Sequence, residues 1–365
     1  MRVAHLTPAY FSDESVIGGG ERYVYYLARA LRTTGSIDQR VYAPGNEDKQ
    51  FERDGVAVRI LRNDSPLPSA MNSFSTSLWQ ELEGFDLVHI HQSLTLFGAY
   101  STVIARSLRI PTVGTDLGGG ENQLMLRGQG LELLDGVLSI SRYAHSLVAP
   151  FYTGLHEVLI GPVDTTHFSP ANVARDPKMV LCVSRILPHK GIDRVVAALP
   201  EGLRLVIAGR VYHQEYYERL KVMANGKDVQ FIHDADDNAL VDLYRSAGLF
   251  IQASTFRDIF GNAVAKPELM GLTTLEAMAC GLPVAVSDAG SLPELITDDR
   301  FGRVFSNHEQ LSALLQEMAA GTWPSAEAAD LARSHVEKTH GMGPIGKRLA
   351  TFYAAVTAQA RGARQ

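Results

Sequence analysis

Cysteine is nearly absent from these 365 residues: there are two, Cys182 and Cys280. Each lies in an apolar run, where a small thiol packs as a core residue. A disulfide framework and a cysteine-rich metal site are therefore excluded as organising features. No apolar run reaches the roughly 18 residues that a membrane-crossing helix needs. Residues 1–10 lack the apolar core and small-residue cleavage site of a secretory signal, so the cytoplasm is the expected compartment. Positive charge is also short, with 34 Lys and Arg against 40 Asp and Glu and a formal charge of -6. That balance offers no general attraction to nucleic acid or to an anionic membrane, so any affinity for phosphate must be local. Low-complexity segments and short repeats are missing, and only the residues after Thr357 read as a frayed tail.

What is present is a chain longer than one hydrophobic core usually supports. Two domains are expected, with a cleft between them as the place for a site. The opening reads as a buried strand over 3–7, a loop ending in Gly18-Gly19-Gly20, and a helix over 22–32 with Val24, Leu27, Ala28 and Leu31 in helical spacing. The plan recurs at 180–183 as a strand, 184–191 as a polar loop and 192–199 as a helix. Further strands are expected at 40–42, 56–61, 87–91, 112–115, 137–140 and 157–160, then at 203–208, 229–232, 249–251 and 283–286. Strands alternating with helices imply parallel sheets covered on both faces, with ligands at the carboxyl ends of the strands. The boundary falls near Gly161-Pro162-Val163-Asp164, and a last helix is expected over 345–360.

Two segments carry chemistry. In Ser184-Arg185-Ile186-Leu187-Pro188-His189-Lys190-Gly191, two cations five residues apart stand between a strand and a helix start. Arg185 can offer two parallel donors to phosphate oxygens, Lys190 a point charge, and the helix its unpaired N–H groups. Further on, Glu268 lies in a loop and Glu276 is expected in the first turn of a helix that Thr273 or Thr274 caps and Gly281 closes. His91 ends an apolar strand two residues after His89, and the two rings are expected to part between faces. Asp234-Ala235-Asp236 has the DxD form of metal-dependent transferases, but its place before a helical stretch makes it a capping group. No metal is inferred.

Two glutamates separated by seven residues, then AMACGLPVAVSDAG, with SRILPHKG some eighty residues earlier, resemble the retaining glycosyltransferases of family 4. GGGERYVYYLARAL, DLVHIH, SISRYAHSLV, GPVDTTHFSP and LVIAG extend the likeness over most of the chain. The resemblance implies a GT-B architecture, two Rossmann-like parallel-sheet domains facing across a cleft. Residues 1–163, joined by a C-terminal helix at about 345–365, would form the acceptor-binding domain, and 164–344 the donor-binding domain. It implies retaining transfer of a sugar from a nucleoside-diphosphate sugar, used as co-substrate without a further cofactor, to form an α-glycosidic bond. The acceptor would be a glycan, a lipid-linked molecule or a small molecule, and peripheral membrane contact stays open. Arg185 and Lys190 would hold the diphosphate, Glu268 the sugar hydroxyls and Glu276 the ribose. Gly19, Gly20, Met270, Gly271, Leu272 and Thr273 would complete the donor site, with His91 near the reacting sugar or acceptor.

The sequence departs from the family pattern in a longer segment over 255–266, at Gly161-Pro162 and at Gly114-Thr115-Asp116. Competing readings are an epimerase or sugar phosphorylase of the same fold and a non-catalytic sugar-nucleotide binding module. A nicotinamide-dependent oxidoreductase is disfavoured, since Tyr23 stands where GxGxxG needs its third glycine. Phe74, Leu78 and Trp79 read as core packing before they read as an acceptor surface.

Overall fold

The computed structural model describes residues 1–8, 19–65, 70–118, 120 and 122–362. The chain divides into two compact units, Met1–Pro162 with Gly341–Gln365, and Val163–His340. In the first unit the strands are β1 (Arg2–Leu6), β2 (Asp38–Gly45), β3 (Lys49–Arg53), β4 (Val56–Arg62), β5 (Leu87–His91), β6 (Thr112–Thr115), β7 (Gly136–Ser139) and β8 (His156–Val158). They form one sheet in the order β3-β4-β2-β1-β5-β6-β7-β8. Helices α1 (Gly19–Arg32), α2 (Leu78–Glu81), α3 (Leu96–Ser107), α4 (Gln123–Leu126) and α5 (Arg142–Val148) connect them.

All pairings in this sheet are parallel except β3 with β4, which is antiparallel. The sequence Lys49-Gln50-Phe51-Glu52-Arg53 is too polar to read as a strand. It forms one because Asp54 and Gly55, at φ 47° and 73°, close a two-residue hairpin between paired Arg53 and Val56. An edge position then tolerates the charges.

The second unit has β9 (Asp176–Val183), β10 (Arg204–Ala208), β11 (Val229–Ile232), β12 (Ala247–Gln252), β13 (Val284–Ser287) and β14 (Gly302–Phe305). These make an all-parallel sheet in the order β11-β10-β9-β12-β13-β14. Its helices are α6 (Ile192–Ala198), α7 (Gln214–Met223), α8 (Asp237–Ser246), α9 (Leu272–Ala279), α10 (His308–Ala319) and α11 (Ala328–Thr339). Val180, Leu205, Leu249 and Ala285, one from each of four strands, join Ile192, Val195, Tyr216 and Leu311 in its core.

The last helix, α12 (Met342–Gly362), belongs to the first unit, where it lies against α1 and meets β6. It continues beyond Thr357, where fraying was expected to begin, as far as Gly362, because Ile345, Leu349, Phe352, Tyr353, Val356 and Ala360 are all buried and give it one continuous apolar face.

Candidate functional site

The loop between β9 and α6 leaves the sheet at Val183, beside the carboxyl end of β12. Arg185 is exposed, its guanidinium 5.6 Å from the ring of Tyr212. Lys190 turns inward and pairs with Glu268, Nζ to Oε2 at 2.9 Å, with side-chain exposures of 12% and 15%. The residues expected at phosphate and at sugar thus meet in one ion pair. Burial alone would raise the Glu268 carboxyl. The Lys190 charge and hydrogen bond, with the N–H groups of Gly271 and Met270, outweigh it and hold the carboxyl below its ordinary range. The backbone of Glu268 is fixed as well. Ser291 N–H donates to its carbonyl at 3.1 Å, and Gly290, at φ 64°, lies so close that a Cβ there would stand 2.1 Å from that oxygen.

Helix α9 differs from expectation at its start. Gly271, at φ 79°, is the N-cap, and neither threonine caps the helix. Thr274 Oγ1 instead donates to Gln252 Oε1 at 2.6 Å, and Thr273 Oγ1 donates to the same oxygen at 3.4 Å. With the helix beginning at Leu272, Glu276 stands beyond the first turn, where the helix dipole contributes little. Glu276 is 3% exposed, and Tyr244 donates to its Oε2 at 3.2 Å. Met270 and Leu272 are buried beside the cap. The far end behaves as read: Gly281, at φ 70°, closes the helix, with Leu282 N–H bonded to Ala277 O at 2.9 Å. Asp236 caps α8 by accepting from Ala239 N–H at 2.8 Å.

Sequence reading missed Gln252 and His189. Gln252, 6% exposed at the end of β12, donates through Nε2 to Glu268 Oε2. His189 is lowered to about 4 by burial, then by the charges of Lys190 and Arg185. His189 stands next to Lys190 inside the loop motif, and that adjacency was its signal in the sequence; Gln252 had none, because only the fold brings the end of β12 to Glu268. The segment over 255–266 folds back on itself through a bridge between Arg257 and Ala263 and is tied to the phosphate-type loop by Thr255 N–H donating to His189 O at 3.0 Å.

In the first unit, Gly18 lies outside the described residues. Gly19 and Gly20 are the first residues of α1 rather than part of a loop, since nothing in Gly-Gly-Glu-Arg interrupts helical hydrogen bonding. Among the described residues, a Cβ at Gly19 would meet nothing within 4 Å, and one at Gly20 would meet Gln92 Nε2 at 3.4 Å, an ordinary contact. His89 and His91 do not part between faces: a strand has period two, and their ring centroids are 4.0 Å apart. Both are fully buried with His5.

Gln39 Nε2 donates to Ala28 O, so its Oε1 accepts from His5 Nε2 at 3.2 Å. That leaves His5 Nδ1 to accept from His91 Nε2 at 3.1 Å. His89 bonds Tyr353 Oη at 2.6 Å and Thr115 Oγ1 at 2.7 Å. His91 Nδ1 and Tyr23 Oη have no hydrogen-bond partner among the described residues. Burial lowers all three imidazoles, His5 to about 4. Their ligand atoms lie within 4.8 Å of one another, a spacing near that of a metal site. A metal on His91 Nε2 would leave an Nδ1–H without an acceptor, which a histidine ligand normally has. The cluster fits a chain of neutral hydrogen bonds better.

A hollow of about 310 Å³ lined by Asp86, Arg109, Pro111 and Arg361 opens at the amino ends of β5 and β6, the wrong end for a ligand in this fold. The buried thiols Cys182 and Cys280 are both free. Among the described residues no helix is long and apolar enough to cross a membrane.

The model of "Glycosyltransferase Family 4" matches residues 17–197 and that of "Glycosyl transferases group 1" matches residues 163–330. A GDP-mannose-dependent alpha-(1-6)-phosphatidylinositol monomannoside mannosyltransferase of Mycolicibacterium smegmatis is 32% identical over 47% of this chain and 48% of its own. The chain thus spans about half the length of that relative. An alpha-maltose-1-phosphate synthase of the same organism is 26% identical over 83% of this chain and 84% of its own. Among solved structures, the Anabaena protein HepE in complex with UDP and glucose superposes with a TM-score of 0.73 at 18% identity, covering 97% of this chain and all of that one, 100%. A sucrose-phosphate synthase from Thermosynechococcus elongatus gives 0.73 at 19% identity, covering 98% and 99%. At these identities the structures establish the GT-B fold.

Proposed function

The chain belongs to glycosyltransferase family 4, and we propose that it moves a sugar from a nucleoside-diphosphate sugar to an acceptor hydroxyl with retention, forming an α-glycosidic bond. The observation that carries this reading is the Lys190–Glu268 pair beside Arg185 at the carboxyl ends of β9 and β12, with Glu276 buried in the adjoining α9. Arg185 and Lys190 bind the diphosphate and stabilise the charge that develops on its β-phosphate as the bond to the anomeric carbon breaks. Glu268 accepts hydrogen bonds from sugar hydroxyls, and Glu276 accepts from the ribose. The first unit takes the acceptor, a glycan, a lipid-linked molecule or a small molecule, and His91 at the end of β5 belongs to that side.

Donor binding through cations and backbone N–H groups makes a divalent ion unnecessary, so transfer is metal-independent in this reading. The first donors to assay are GDP-mannose and UDP-glucose, suggested by the mannosyltransferase and by HepE. Turnover of a nucleotide sugar should persist after exhaustive chelation and fall by roughly 10²–10³-fold in Arg185→Ala. Activity lost to chelation and restored only by magnesium or manganese would overturn the metal-independent mechanism. Near-normal turnover in Arg185→Ala would return Arg185 to a solvated surface charge.

A further inference from the structure

Lys190 Nζ and Gln252 Nε2 both donate to one oxygen of Glu268, Oε2. The amide of Gln252 has no freedom to turn. Its Oε1 accepts from Thr274 Oγ1 at 2.6 Å and from Thr273 Oγ1 at 3.4 Å, which commits the NH₂ end to the carboxylate. A line of hydrogen bonds therefore runs from the start of α9 through the end of β12 to Glu268. It fixes the carboxylate against the same helix that carries Glu276. Among the described residues Lys190 Nζ has no comparable tether, since its flexible chain ends in one ammonium at the carboxylate.

The functional reading asks Lys190 to bind diphosphate, yet in this structure it neutralises Glu268. A largely buried carboxylate whose cation departs takes up a proton unless other donors hold it ionised. We propose that Gln252 is the positioning residue of Glu268: Lys190 transfers from Oε2 to the donor diphosphate, and Gln252 keeps the carboxylate oriented, with Oε1 presented to the sugar. The Met270 and Gly271 N–H groups assist from the backbone. The amide serves better than a second cation here, because it donates to Glu268 without competing for the phosphate. The inference rests on the functional reading for Lys190's destination, whereas the grip of Gln252 on Glu268 can be measured without any substrate.

The test uses Gln252→Met, which keeps the length and loses all three hydrogen bonds of the amide, and Thr274→Val, which removes the shorter of the two bonds to Oε1 and so lets the amide turn. Thr274→Ser is the conservative rescue. In the full chain without ligand, the Glu268 side-chain ¹³C signal, identified by its loss in Glu268→Gln, is followed against pH. Its midpoint should move upward in Gln252→Met and Thr274→Val and return in Thr274→Ser. An unmoved midpoint in both folded variants would overturn the grip. With UDP, GDP and ADP as probes, the one that binds should shift the wild-type midpoint upward as Lys190 leaves, and further in Gln252→Met. A probe that binds without moving the midpoint would overturn the transfer of Lys190. With a turned-over donor, Gln252→Met should lower kcat about 10–100-fold while nucleoside diphosphate affinity stays within about twofold. A loss confined to affinity would instead place Gln252 in diphosphate binding. If no nucleotide sugar is turned over by the wild type, the functional reading fails, and the ligand-free titration still decides the role of Gln252.

Discussion

At the scale of single residues, the two glutamates of the motif sit in different surroundings and should fail differently. Glu268 is ion-paired at the mouth of the loop, and Glu276 is packed inside α9 against Tyr244. Glu268→Gln removes a charge placed where positive charge develops on the sugar, so the turnover rate should fall with little change in nucleoside diphosphate binding. Glu276→Ala should weaken nucleoside diphosphate binding by about 1–3 kcal/mol, the cost of a lost charge-assisted hydrogen bond. Calorimetric titration beside steady-state kinetics separates them, and the reverse pattern would mean that the sugar and ribose roles are exchanged. The spacing of these residues was legible in the chain, as was the neighbouring pair Arg185 and Lys190. That Lys190 and Glu268 share an ion pair was not, because 78 positions separate them.

Elements follow the sequence pattern where apolar runs set the period, and depart from it where a neighbour supplies the missing bond. Strand β5 has the expected bounds because every residue in it is buried. Strand β3 and the N-cap Gly271 were invisible to that pattern, the one depending on a hairpin partner and the other on a left-handed backbone. The packing of α12 on α1 includes one close backbone approach: a Cβ at Gly346 would stand 2.1 Å from the backbone oxygen of Ala30. Gly346→Ala should therefore destabilise the first unit by roughly 1–3 kcal/mol through overpacking, despite alanine's better helix propensity. Gly343→Ala in the same helix meets nothing within 4 Å among the described residues and serves as the control. Equal urea midpoints for the two variants would show that the helices separate at no cost.

For the molecule as a whole, the buried imidazoles of His5, His89 and His91 tie stability to pH. Burial lowers each below its unfolded value of 6.5, so the unfolded chain binds protons that the native chain refuses. Their stabilising contribution is complete above pH 6.5 and is lost as pH falls toward the folded values, about 4 for His5. His5 alone would remove roughly 3 kcal/mol across that window, mostly above the range where carboxylates titrate. Urea unfolding at pH 7.5 and pH 5 should show the loss, reduced in His89→Gln, and equal stabilities would contradict a neutral buried cluster. The chain by itself determined two α/β halves, the strand-loop-helix opening of the second half, the capping role of Asp236, the Gly281 stop and the family. These are written in local periodicity, in residues with special backbone freedom and in motif spacing, all of which survive in one dimension. Only the tertiary structure decided that Gln252 and Thr274 hold Glu268, that His5 and Gln39 continue the line of His91, and that α12 seats on α1. Those contacts join residues far apart in sequence whose types are ordinary in isolation, and a polar side chain acquires its partner only when packing removes water from around it.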